Sequence, residues 1–159
     1  MTRITISRRF RGPPQSVNGG YACGVCAAGR SRAVVTLRKP IPFDTPLALA
    51  DGVLRSGDQV VAEAIAGEVD GEVPASVPFA EAEAATARYV GLAAHPFPEC
   101  YVCGPARAPG DGLRLFPGSV GGRVAAPFVP DGSICEHGQV RAESVWAVLD
   151  CPTYFGALV

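Results

Sequence analysis

No dense run of lysine or arginine interrupts this chain, and its 14 basic and 15 acidic residues leave a formal net charge of -1. The electrostatic footprint that nucleic acid or an anionic membrane surface would require is therefore missing, and neither is expected as a partner. An apolar leader is missing too: residues 1–10 alternate polar and apolar side chains and then carry Arg8 and Arg9, unlike a signal peptide. No apolar run reaches the roughly 20 residues of a membrane span. Without a secretion signal, the six cysteines read as reduced thiols of a cytosolic protein rather than as a disulfide framework. The expected location is the cytoplasm. What is present is an ordinary globular composition, 48% hydrophobic over 159 residues, enough for one domain or two small ones.

The first half reads as strand, helix, then a meander of strands. Residues 3–10 form a short strand stopped by Gly12-Pro13-Pro14, since proline cannot continue a ladder. Asn18-Gly19-Gly20 opens a compact helix of small apolar residues running to about Ala28. Residues 33–38, rich in β-branched side chains, form a strand that ends before Pro40 and Pro42. Residues 46–50, 52–55 and 59–66 continue the sheet, with Ser56-Gly57-Asp58 as the last turn. A helix that precedes its sheet suits one helix wrapped by a curved antiparallel sheet.

Beyond Gly67 the pattern changes. An Ala- and Glu-rich segment, 79–90, reads as a connecting helix begun near Pro78. Residues 100–105 and 110–116 then read as a second set of strands, continued by 122–127. A last helix-like segment, 144–159, carries a single acid, Asp150, with Pro152 placed to break it.

Cys100-x-x-Cys103-Gly104, Gly112-Leu113-x-Leu115 and Trp146-Ala-Val-Leu-Asp150 together resemble the opening of hotdog-fold thioesterases of the phenylacetate-pathway type. Asn18-Gly19-Gly20-Tyr21, followed by Val35-Thr-Leu-Arg-Lys-Pro40 and Pro46-Leu47, is similar to the helix start and following strands of another such unit. The resemblance implies an α+β, double-hotdog arrangement of acyl-CoA thioesterase type. Residues 1–70 would be the first hotdog unit, an antiparallel sheet around a central helix. Residues 71–97 would be the helical connector, and 98–159 the incomplete start of a second unit. Position 18 is Asn where the family commonly has His, and the first helix lacks an acid equivalent to Asp150.

The residues suggest matching chemistry. A helix entered through two glycines presents free N–H groups and a positive dipole end to a thioester carbonyl, so Asn18, Gly19, Gly20 and Tyr21 are the expected substrate-binding residues. The same glycines also serve if they only let the helix approach the sheet. Asp150, partly desolvated on an apolar helix, is the expected general base or nucleophile; a structural helix-end aspartate is the alternative. The pairs Cys23/Cys26 and Cys100/Cys103 offer four thiolates for zinc, yet the first sits among small apolar residues where cysteine packs as a hydrophobe. No metal and no cofactor is therefore expected. His95 and His137 read as loop residues. Two functions follow: hydrolysis of an acyl-CoA or related thioester, or a non-catalytic acyl-binding or assembly module. An apolar final helix without a sheet to wrap it points to a homo-oligomer.

Overall fold

The computed structural model describes residues 1–68 and 70–158. Its frame is an all-antiparallel sheet of five strands: β1 (Thr2–Thr5), β2 (Ala33–Leu37), β3 (Pro46–Ala50), β4 (Val53–Ser56) and β5 (Gln59–Ala66). In space the order is β1-β3-β4-β5-β2, which leaves β1 and β2 at the edges. Asp51 and Gly52, both at positive φ, make the two-residue β3–β4 connection, the mirror-image turn that matches strand twist. A register shift between Leu54 and Arg55 adds a local irregularity where β4 meets β5.

Helix α1 (Gly19–Cys26) lies between β1 and β2 in sequence and packs against β2 and β5. Its eight residues have weak intrinsic propensity, so burial holds it: Ala22 and Cys26 are fully buried, and the Cys26 thiol donates to the Gly52 carbonyl at 3.1 Å. Leu47, Leu54, Val61 and Ala62 complete this part of the core. The mixed α+β class and the strand-helix-meander order of the first half are as expected from the sequence. Within residues 3–10, only the start is strand, because Arg8–Phe10 turns into a 3-10 helix capped by Ser7.

The second half departs from expectation, first in its strands. Residues 100–105 and 110–116 are not strands. Tyr101 N–H donates to the Arg11 carbonyl at 2.8 Å, and Leu113 and Leu115 N–H groups bond back to the Tyr101 and Val102 carbonyls. Arg107 adds bonds to the Glu99 and Arg9 carbonyls and an ion pair with Asp111. The segment thus docks as a turn-rich layer on residues 9–11, and its Gly and Pro content favours turns over a ladder. Helix α2 (Phe79–Ala85) continues as 3-10 turns through Arg88 and Leu92. Two small hairpins follow, β6 (Gly118–Val120) with β7 (Arg123–Ala125), and β8 (Cys135–Glu136) with β9 (Gln139–Val140).

Helix α3 (Ala142–Gly156) runs through Pro152 rather than ending at it. It lies antiparallel against α1 at backbone distance: a Cβ at Gly20 would meet the Trp146 carbonyl at 2.5 Å, and one at Gly24 the Glu143 Cα at 2.4 Å. Ala147, Cys151 and Phe155 join a single buried cluster that also contains Ile6, Tyr21, Leu54 and Tyr101. Among the described residues no helix is long and apolar enough to cross a membrane.

Candidate functional site

The α1–α3 contact determines where Asp150 points. Because Gly20 and Gly24 carry no side chain, α3 comes close enough for Asp150 Oδ2 to accept the Gly20 N–H at 2.9 Å. The same oxygen accepts Asn18 Nδ2–H at 3.0 Å. A carboxylate at a helix N-terminus satisfies orphan N–H groups and the dipole together. Asn18 is the α1 N-cap: its Oδ1 accepts the Tyr21 N–H at 2.9 Å. Asp150 Oδ1 has no hydrogen-bond partner among the described residues.

These groups border a cavity of about 350 Å³, lined among others by Asn18, Gly19, Phe97, Asp150, Tyr154 and Phe155. The lining is mainly apolar with a few convergent polar groups, as ligand pockets generally are. Of the five residues singled out in the sequence, Asn18, Gly19 and Asp150 line this cavity, and Gly20 reaches it only through its bond to Asp150. Tyr21 lies elsewhere. Its ring stacks on Phe10 at a centroid distance of 4.0 Å, it is buried, and burial pushes its hydroxyl up to about 12. The Gly19 N–H, the first of the helix, meets no acceptor among the described residues.

No family model, curated protein or solved structure matches this chain. The reading of the site therefore rests on its geometry.

Sequence reasoning missed the rest of the cavity wall. Cys100, Cys103 and Cys151 bring their sulfurs within 4.8 Å of one another, and His95 Nε2 lies 3.3 Å from Cys103 Sγ. Cys100 is the acid of this cluster: hydrogen bonds from the Cys103 and Cys151 thiols, with backbone N–H groups of the same turn, hold its thiol well below the ordinary value. Its two thiol partners are pushed up in turn. Asn18 Nδ2 also lies 3.9 Å from Cys100 Sγ, so one amide faces both the thiol cluster and the carboxylate. Burial lowers the His95 imidazole, which favours its neutral form. The two C-x-x-C pairs do not meet: Cys23 and Cys26 stay on α1, and burial pushes the Cys23 thiol up to about 11. The available signal was the spacing His95-x4-Cys100-x2-Cys103 together with a lone cysteine, Cys151, beside the acid of an apolar helix.

Proposed function

We propose that the chain is a hotdog-type protein that hydrolyses an acyl-CoA or related thioester, with Asp150 as general base. The fold reading is supported by one helix inserted between the first two strands and laid on an all-antiparallel sheet. One observation carries the activity: Asp150 is held at the α1 N-terminus by Oδ2 alone, with Oδ1 unpartnered beside an apolar cavity. A water on Oδ1 would lose its proton to the carboxylate as its oxygen bonds the thioester carbon. The developing oxyanion takes the free Gly19 N–H and the positive helix end. Collapse breaks the C–S bond, and the proton held by Asp150 passes to the leaving thiolate, giving an acid and a free thiol.

The test is hydrolysis of a panel of acyl-CoAs by wild type and Asp150→Asn. The Asn carbonyl oxygen can still accept from Asn18 and Gly20, so folding is kept while the base is lost. The expected fall in the chemical step is about 10²-fold or more. Wild-type rates in a folded Asp150→Asn variant would remove Asp150 from the mechanism.

One observation favours the second reading, an acyl-binding module without catalysis. Asp150 and Asn18 already occupy the Gly20 and Tyr21 N–H groups, which leaves one N–H of the expected three for the carbonyl. Saturable acyl-CoA binding by wild type with no thiol released would decide for it.

A further inference from the structure

The cavity wall beside Asn18 is built from three cysteines that come from two distant parts of the chain. Cys100 and Cys103 lie in a tight turn, and Cys151 lies on α3; all three are buried. The Gly104 N–H returns to the Cys100 carbonyl at 2.9 Å. Residue 104 has no room for a side chain, since a Cβ there would stand 2.5 Å from the Cys100 nitrogen. Such a turn presents both sulfurs of the C-x-x-C toward Cys151.

Packing alone does not require three thiols to converge. The Cys100 and Cys151 sulfurs are 3.8 Å apart, and a tetrahedron of zinc–sulfur bonds of about 2.3 Å has edges of about 3.8 Å. A disulfide needs about 2.05 Å, so these sulfurs are spaced for a shared cation and not for a bond. His95 completes the surroundings. Its Nδ1 accepts the Phe97 N–H at 2.8 Å, so the neutral ring carries its proton on Nε2, 3.3 Å from Cys103 Sγ. The imidazole thereby donates to the sulfur, as outer partners of metal ligands commonly do.

We propose that Cys100, Cys103 and Cys151 bind a thiophilic divalent cation, zinc foremost, with His95 donating Nε2–H to the Cys103 sulfur. The cation ties the 95–104 turn to α3 one residue beyond Asp150, and so fixes the cavity wall and the carboxylate together. Three cysteine ligands leave the fourth tetrahedral position to an exchangeable ligand from the cavity. This reading replaces the expectation that no metal is bound, and it does not depend on thioester hydrolysis.

The experiment measures metal, not turnover. The full chain is purified under reducing conditions without chelator, incubated with zinc, freed of excess and analysed for its elements. About one zinc per chain is expected, and chelation should lower the melting temperature reversibly. Cys23→Ser and Cys135→Ser, outside the cluster, should keep the metal; Cys100→Ser and Cys151→Ser should lose it. Because a ligand variant can also fail to fold, cobalt(II) is added to metal-free wild type, where sulfur-to-cobalt charge-transfer absorption is the expected signature. His95→Ala should bind about 10–100-fold more weakly. The proposal is overturned if reduced wild type retains no zinc and gives no cobalt–sulfur absorption. It is equally overturned if folded Cys151→Ser keeps the metal, or if Cys100 and Cys151 are found as a disulfide in the reduced preparation.

Discussion

Asn18 is the residue on which the site turns. Its side-chain oxygen caps α1, and its amide nitrogen donates to Asp150 at 3.0 Å while lying 3.9 Å from the Cys100 sulfur. That a helix opens at Asn18-Gly19-Gly20 was legible in the sequence, and an Asn in that place is a favoured cap. Its tie to a carboxylate 132 positions away was not, since no local pattern encodes it. Tyr101 is a contrasting case. Its ring is fully buried against Phe10 and Tyr21, yet its hydroxyl has no partner among the described residues. An unpaired buried hydroxyl costs about 1–3 kcal/mol of desolvation. Tyr101→Phe keeps the ring contacts and removes that cost, so urea unfolding should show a stability equal to wild type or up to about 1 kcal/mol higher. A loss of more than about 1 kcal/mol would mean that the hydroxyl is satisfied in solution.

At the scale of elements, strands β2 to β5 were legible because β-branched residues, prolines and the Ser56-Gly57-Asp58 turn mark them, whereas the Asp51-Gly52 turn between β3 and β4 was not read. The helix pair was legible only in half. Small residues in α1 pointed to close packing, but against the sheet; the structure turns Gly20 and Gly24 to α3 instead. Four residues apart, they form one smooth stripe on a helix face. Residues 100–116 were misread as strands because apolar content alone does not separate a ladder from a buried turn. Their backbone partners are Arg11, Phe97, Pro98 and their own carbonyls. The stripe makes a testable demand. Gly24→Ala would gain about 1 kcal/mol in helix propensity, but it drives a methyl into the Glu143 backbone, a kind of overpacking that typically costs 1–3 kcal/mol. The clash is with backbone and cannot be relieved by a rotamer, so net destabilisation is expected in urea. An equally stable or more stable Gly24→Ala would show that α1 and α3 do not touch there.

For the whole molecule, the sequence pointed to a final helix with nothing to cover it, and the structure divides that helix in two. Its Ala147, Cys151 and Phe155 side is buried in the one core cluster, which also draws residues from the sheet and from the 100–116 layer. The opposite side, with Val145 and Leu149 one turn apart, stays exposed. A stripe of this kind on a helix whose other face is already buried has no further structural work within the chain, and such patches mark association sites. The expected outcome is therefore a reversible dimer in sedimentation at micromolar concentration. Leu149→Glu should leave thermal unfolding of the monomer within about 0.5 kcal/mol, because the side chain is exposed, while shifting the equilibrium toward monomer. Asp150 lies next to Leu149 but points to α1, so the variant tests association without touching the carboxylate's bonds to Asn18 and Gly20. If wild type is already monomeric, or if Leu149→Glu associates as wild type does, this face is not what brings two copies together.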